Sequence, residues 1–229
     1  GLDPKAGGFD FNLGFLIQKE YDPSVFFLPV DFIYLVLLGI IIGIFAELYS
    51  RYVLLMQNLG KKWYKNKFVL KMSICGLILG SIYSFLPSTF HNLDELQKII
   101  AEQNTSIGIA LLAVLVLFIT TGLAAASGAP GGLFYPMLTL GGSIGLIMGS
   151  WVEIATGHAP STYIFAGMGA FVAGCSRTPI TAMFLAFALT KNLLIMKPVL
   201  ISCIASFLIA RAFNEESIYE RQIQIELED

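Results

Sequence analysis

The sequence predicts an all-α, polytopic membrane protein with broken, re-entrant helices. Three observations predict it. Of 229 residues 56% are apolar and only 13% charged, the apolar residues run in stretches of span length, and glycine- and proline-containing breaks interrupt those stretches. An ordinary soluble domain carries about a quarter charged residues. Fourteen Lys+Arg against sixteen Asp+Glu leave a net charge of -2, too little basic surplus to neutralise a row of phosphates, so no nucleic-acid partner is expected. Cys75, Cys175 and Cys203 lie far apart in apolar sequence without CxxC or Cys/His ligand spacing, which indicates neither a disulfide framework nor a zinc site. No cofactor is expected.

Residues 1–29 are polar and read as an extracellular connector, with no basic n-region before an apolar core and so no visible signal peptide. The first residue is Gly1, and the chain is expected to be a fragment of a longer protein. The first long apolar run, Phe32 to Met56, is uncharged until Glu47 and long enough to cross a bilayer with some tilt. Glu47 and Arg51 sit four apart on one helix face, where a structural ion pair is favoured over a functional ionisable group. Gly60 to Lys67 concentrates Lys61, Lys62, Lys65 and Lys67 around Trp63 and Tyr64, the composition of a short cytosolic loop. A second run, Met72 to Phe90, returns across the membrane, and Pro87 stops its helix near Leu86. Gly39/Gly43 and Gly76/Gly80 give GxxxG spacing, read as packing faces.

His91 to Gln103 is mixed in charge, and Leu93, Leu96, Ile99 and Ile100 follow helical spacing, which predicts a short amphipathic helix at the outer surface. Asn104 opens a glycosylation sequon and is also a natural N-cap for the apolar helix that follows; the cap is preferred. His91 and His158 are isolated and read as loop residues rather than ligands or bases.

From Gln103 to Val152 there is no Asp, Glu, Lys or Arg, and the stretch breaks in its middle at Ser127-Gly128-Ala129-Pro130-Gly131-Gly132. Two apolar helices must therefore meet inside the membrane. Irregular backbone at that depth is tolerated only where it is buried in protein or lines a polar cavity, because lipid cannot hydrogen-bond the freed groups. Pro130 prevents the first helix from continuing, the glycines allow unusual dihedrals and close approach, and the second helix begins near Gly132. Its first N-H groups and its dipole suit an anion without holding it as tightly as a lysine would. A second break, Cys175-Ser176-Arg177-Thr178-Pro179, separates two further apolar runs; such paired half-helices are typical of transporters and channels. Arg177 is read as a cap for backbone carbonyls ahead of a role beside an anion route. The last apolar run, Val199 to Phe213, leads into a polar, acidic tail containing Tyr219, whose hydroxyl is a neutral donor but whose position alone suggests an interfacial anchor.

Gly132-Leu133-Phe134-Tyr135-Pro136, after Ser127-Gly128-Ala129-Pro130-Gly131, resembles the GxFxP selectivity motif of the CLC family of chloride channels and proton-coupled chloride antiporters. Residues 37–45, Ala166-Gly167-Met168-Gly169-Ala170, Arg177-Thr178-Pro179-Ile180-Thr181 and Ile218-Tyr219 follow in the family's order, so the resemblance covers about residues 30 to 222. It implies the second of two inverted halves, helices J to R: a transmembrane domain over 30–213 and a C-terminal helix with cytoplasmic tail over 214–229. It further implies transport of chloride or a similar anion, with Gly132, the amides of Leu133 and Phe134, and the hydroxyl of Tyr219 as the anion site. A missing N-terminal half, a homodimer and a multi-pass location in the cell membrane are implied as well. The serine- and glutamate-containing loops of the family's first half do not occur in these residues, and Ala188-Leu189-Thr190 stands where many relatives have Glu-x-Thr. Glu47 and Glu153 do not fall at gating positions. The competing readings are an intramembrane hydrolase using Ser127, which lacks a GxSxG context and a histidine in a span, and a non-transporting scaffold held by its GxxxG faces, for which a buried uncharged break has no use. The chain is not expected to be an enzyme.

Overall fold

The computed structural model describes residues 31–63, 68–102, 105–128, 131–157, 161–190 and 193–227. Helices α1 (Asp31–Trp63), α2 (Phe68–Ser84), α3 (Leu93–Ala101), α4 (Ile107–Ser127), α5 (Phe134–Thr156), α6 (Thr162–Ser176), α7 (Pro179–Thr190), α8 (Met196–Phe213) and α9 (Ile218–Leu227) account for most of them, with no strand among the described residues. The segments Asp31–Lys62, Ile107–Ser127, Phe134–Thr156 and Met196–Leu227 are long and apolar enough to cross a membrane.

The breaks end helices as the chemistry requires. Gly128 (φ 72°) closes α4 and Gly157 (φ 72°) closes α5, both in the left-handed region where glycine lacks a Cβ penalty. Arg177 ends α6 in the same conformation (φ 62°), the one described non-glycine residue with positive φ. Gly131 and Gly132 adopt ordinary φ, so of the expected unusual dihedrals in the described part of the first break only Gly128 has one. Ala129, Pro130, Asn104 and His158 lie outside the described residues.

Three boundaries differ from the sequence reading. Helix α1 does not stop near Met56 but continues to Trp63. Tertiary contacts carry it on: Lys61 Nζ donates to the Ile225 carbonyl at 2.8 Å, and Gly60 lies so close to the Ala126 carbonyl that a Cβ would collide with it. Helix α2 ends at Ser84, and His91, expected in a loop, closes a 3-10 turn over Ser88–His91 with Nδ1 3.2 Å from the Ser88 carbonyl. The cap of α4 is Ser106, whose Oγ accepts from Ile109 N at 3.4 Å, in place of the expected Asn104. The amphipathic helix α3 forms as expected, capped by Asn92 and burying Leu96, Gln97, Ile100 and Ala101.

Helix α6 is the centre of the bundle, buried from Thr162 to Cys175 and packed against α5, α8, α1 and α7. Its approach to α5 is backbone to backbone, since a Cβ on Gly141 would strike the Gly167 carbonyl and one on Gly167 would strike that of Gly141. The Gly39/Gly43 spacing packs α1 on Ser202, Ala205, Ser206 and Ile209 of α8, whereas nothing lies within 4 Å of a Cβ built on Gly76 or Gly80. Several buried serine hydroxyls are satisfied inside the bundle: Ser50 donates to the Ala46 carbonyl, Ser143 to that of Thr139, Ser202 to that of Leu35 across helices, and Ser206 to that of Ala170. On α4 the exposed Leu111, Leu115 and Ile119 recur every four residues, a lipid-type face opposite buried Ala110, Ala113 and Leu117.

Candidate functional site

Helix α5 starts without a side-chain cap. Leu133 is its N-cap (φ -82°, ψ -12°), and the first hydrogen bond of the helix runs from Met137 N to the Leu133 carbonyl at 3.1 Å. The N-H groups of a helix's first turn have no intrahelical acceptor, and Pro136 has none to offer, so Leu133, Phe134 and Tyr135 are the donors at this end. They sit at the positive end of a 23-residue helix.

In front of this start lies a cavity of about 640 Å³. Gly128, Gly131, Gly132, Leu133 and Pro136 form one wall, Leu117, Thr120, Thr121, Ala124 and Ala125 of α4 another, and Gln57, Lys61, Lys71, Tyr83, Gln222 and Glu226 contribute polar groups. A Cβ on Gly132 would meet nothing within 4 Å, so the backbone of the break faces open space. Close packing of α1 on α4 holds that wall in place: the Tyr52 ring stacks on Phe118 at 4.9 Å and fills the space a Cβ on Gly122 would need.

Of the residues the sequence singles out, Gly132 and Leu133 line the cavity, and Phe134 opens α5 directly behind them. Tyr219 is not on the cavity wall and is 41% exposed. It shares a helix face with Gln222 and Glu226, three and seven residues on, which do line the cavity. Ser127 donates its hydroxyl to the Ala124 carbonyl at 2.7 Å, within its own helix.

The ionisable cluster is larger than sequence suggests. Glu47, 3% exposed, accepts from Arg51 Nε on Oε1 at 2.9 Å, the expected pair. It also accepts from Arg177 Nη2 on Oε2 at 2.7 Å, and from Arg221 Nη1 and Nη2 on Oε1 and Oε2 at 3.1 Å each. Arg177 meanwhile caps carbonyls, as the sequence predicts: it donates to Gly174, to Ala210 at 3.1 Å and to Asn214 at 3.0 and 3.2 Å. Helix C-terminal carbonyls and one carboxylate thus converge on one guanidinium. Four hydrogen bonds fill the roughly four lone-pair directions of the Glu47 carboxylate. The break at Arg177 was the visible signal for half of this cluster. Arg221 carried none, because its partner lies 174 residues away.

A bundle of broken helices, with segments long and apolar enough to cross a membrane and an uncapped helix start opening on a cavity, defines a multi-pass integral membrane protein. The family model described as voltage gated chloride channel matches residues 9–211, and the chain belongs to that family. It is 31% identical over 203 residues to an H(+)/Cl(-) exchange transporter ClcA of Klebsiella pneumoniae, covering 86% of this chain and 43% of the relative. To the ClcA of Vibrio parahaemolyticus it is 29% identical over 191 residues, covering 81% of this chain and 41% of the relative. The chain therefore spans about two fifths of the length of these curated relatives. Its fold is similar to that of a slow cyanobacterial Cl-/H+ antiporter (TM-score 0.75, 25% identity, 87% of this chain and 48% of that one). It also resembles a eukaryotic CLC transporter in fold (TM-score 0.71, 21% identity, 89% of this chain and 36% of that one).

Proposed function

We propose that this chain supplies one side of a chloride pathway across the cell membrane and acts as part of an anion transporter rather than an enzyme. The observation that carries the reading is the start of α5, which has no side-chain cap and adjoins Gly132 and Leu133 on the cavity wall. Backbone amides there offer a partly dehydrated anion several donors and a dipole but no full charge, which permits both entry and release. In this reading Leu133 and Phe134 donate through their N-H groups, Gly132 keeps the approach open, and Tyr219 donates its hydroxyl from α9. Chloride is the bound ion, and no cofactor takes part.

Similarity to proteins named as H+/Cl- exchange transporters and antiporters supports chloride as the cargo. A dehydrated anion needs donors around most of its surface, and one helix start with one hydroxyl provides only one side. A preceding half of similar size is proposed to complete the site and to bring the carboxylate that proton coupling requires. Assembly as a homodimer is proposed on the family resemblance. The hydrolase reading gains no support, since the Ser127 hydroxyl donates to the Ala124 carbonyl within its own helix and the sequence around it has no GxSxG context.

The test is chloride binding by calorimetry on the purified full protein, with chloride efflux from liposomes in parallel. Gly132→Val places a branched side chain in the open space before the amides and is expected to remove both signals. Retention of wild-type binding and efflux in that variant would rule out the helix start as the anion site.

A further inference from the structure

We propose that Glu47 is a positioning residue for the anion pathway: by clamping Arg221 it fixes the rotation of α9 and thereby the place of Tyr219. The proposal rests on the reading of Tyr219 as an anion donor.

Helix α9 has ten residues, and only Ile218 and Arg221 among them are buried. Ile218, Arg221 and the partly buried Ile225 recur at three and four residues and form its packed stripe. Tyr219, Gln222 and Glu226 form the neighbouring stripe, about 100° further round the helix, and the last two line the cavity. Whatever fixes the first stripe therefore fixes the second. Its polar anchor is the two-pronged contact of Arg221 on Glu47, where two parallel N-H donors set orientation as well as distance. Glu47 is itself immobile, being buried on α1 and bound by Arg51 of its own helix and Arg177 at the end of α6. Two further contacts, Lys61 to the Ile225 carbonyl and Gln222 to Gln57 at 3.3 Å, tether α9 toward its far end. The turn that carries Tyr219 is held by buried Ile218 and, among its polar contacts to the rest of the bundle, by Arg221.

Electrostatics and positioning predict opposite signs for one substitution. Glu47, Arg51, Arg177 and Arg221 together carry one negative and three positive charges. Neutralising Glu47 raises the local positive potential, so a purely electrostatic role predicts tighter chloride binding. A positioning role predicts weaker binding, limited to what the Tyr219 hydroxyl itself contributes, about tenfold at most.

The chloride dissociation constant of the full protein is to be measured by calorimetry for wild type, Glu47→Gln, Tyr219→Phe and the double variant. The expected result is that Glu47→Gln weakens binding by about two- to tenfold, and that it has no further effect once the Tyr219 hydroxyl is gone. Unchanged or tighter binding in Glu47→Gln, or an equal loss in both backgrounds, would overturn the positioning role while leaving Tyr219 as a donor if Tyr219→Phe alone weakens binding. No effect of Tyr219→Phe would instead remove the donor reading, and the positioning role with it. Should Glu47→Gln fail to fold, Arg221→Met breaks the clamp while Arg51 and Arg177 still hold Glu47. It must show the same loss in the wild-type background and none in Tyr219→Phe, and any other pattern overturns the proposal.

Discussion

The Tyr163 hydroxyl donates to Asp31 Oδ1 at 2.9 Å, a buried contact between the second residue of α6 and the first of α1, 132 residues apart. It ties the start of the central helix to the start of the longest one, away from the cavity at the start of α5. Tyr163→Phe leaves the ring in its packing but removes a donor from a buried carboxylate, at a cost of about 1.5–3 kcal/mol. Thermal unfolding of the detergent-solubilised protein should drop accordingly, while chloride efflux per folded molecule stays at the wild-type level.

The contact of α5 with α6 sets where α5, the helix proposed to bind the anion, starts. Because a Cβ on Gly167 would strike the Gly141 carbonyl, Gly167→Ala should force the helices apart. Overpacking of this kind costs about 1–3 kcal/mol, and chloride binding should weaken along with stability, unlike the result for Tyr163→Phe. A combined melting curve and binding titration separates the two.

In the anion site proposed at the start of α5 the backbone does the binding, so side-chain identity matters little there. Leu133→Val should leave chloride efflux within about twofold of wild type, because the amide is retained and the volume change is small. Gly132→Val should reduce efflux strongly by occupying space, since Gly132 has an ordinary φ and the backbone itself tolerates a Cβ. Equal effects of the two substitutions would contradict a backbone site.

Tyr219→Phe should weaken chloride binding by about tenfold or less, the worth of one neutral hydrogen bond of about 0.5–1.5 kcal/mol. Calorimetric titration with chloride reads this directly.

Residues 1–229 alone, reconstituted in liposomes, should show no chloride-driven proton movement. No Asp or Glu occurs between Glu102 and Glu153 or between Glu153 and Glu215 to carry a proton along those segments, and the Glu47 carboxylate is occupied by guanidinium donors. Stoichiometric exchange by these residues without a partner would contradict the half-site reading.

Much of this organisation is legible in the sequence because membrane depth writes it in composition. The uncharged stretch with Gly128 and Pro130 at its middle announces two helices meeting at a break, and the break at Arg177-Thr178-Pro179 announces another. Capping was harder to read. Asn104 and Ser106 are both good caps by type, and the geometry that selects Ser106 depends on where the chain turns. GxxxG spacing was informative on α1, where α8 is the partner, and not on α2, where nothing meets Gly76 or Gly80, because spacing creates a flat face without supplying a neighbour. The clamp between Glu47 and Arg221 could not be read at all, since no local pattern links residues 174 apart.

The left-handed corner at Arg177 also has a consequence for the order of assembly. A non-glycine residue in that conformation is uphill by about 1–2 kcal/mol, and what holds it is the capping of Gly174, Ala210 and Asn214 and the pairing with Glu47. Two of those carbonyls belong to the end of α8, which leaves the ribosome after Arg177 does. Gly174 and Glu47 are already made when Arg177 emerges, but its other partners, the carbonyls of Ala210 and Asn214, come more than thirty positions downstream. The corner between α6 and α7 therefore locks late, and the arginine serves as a latch that closes only on a finished α8.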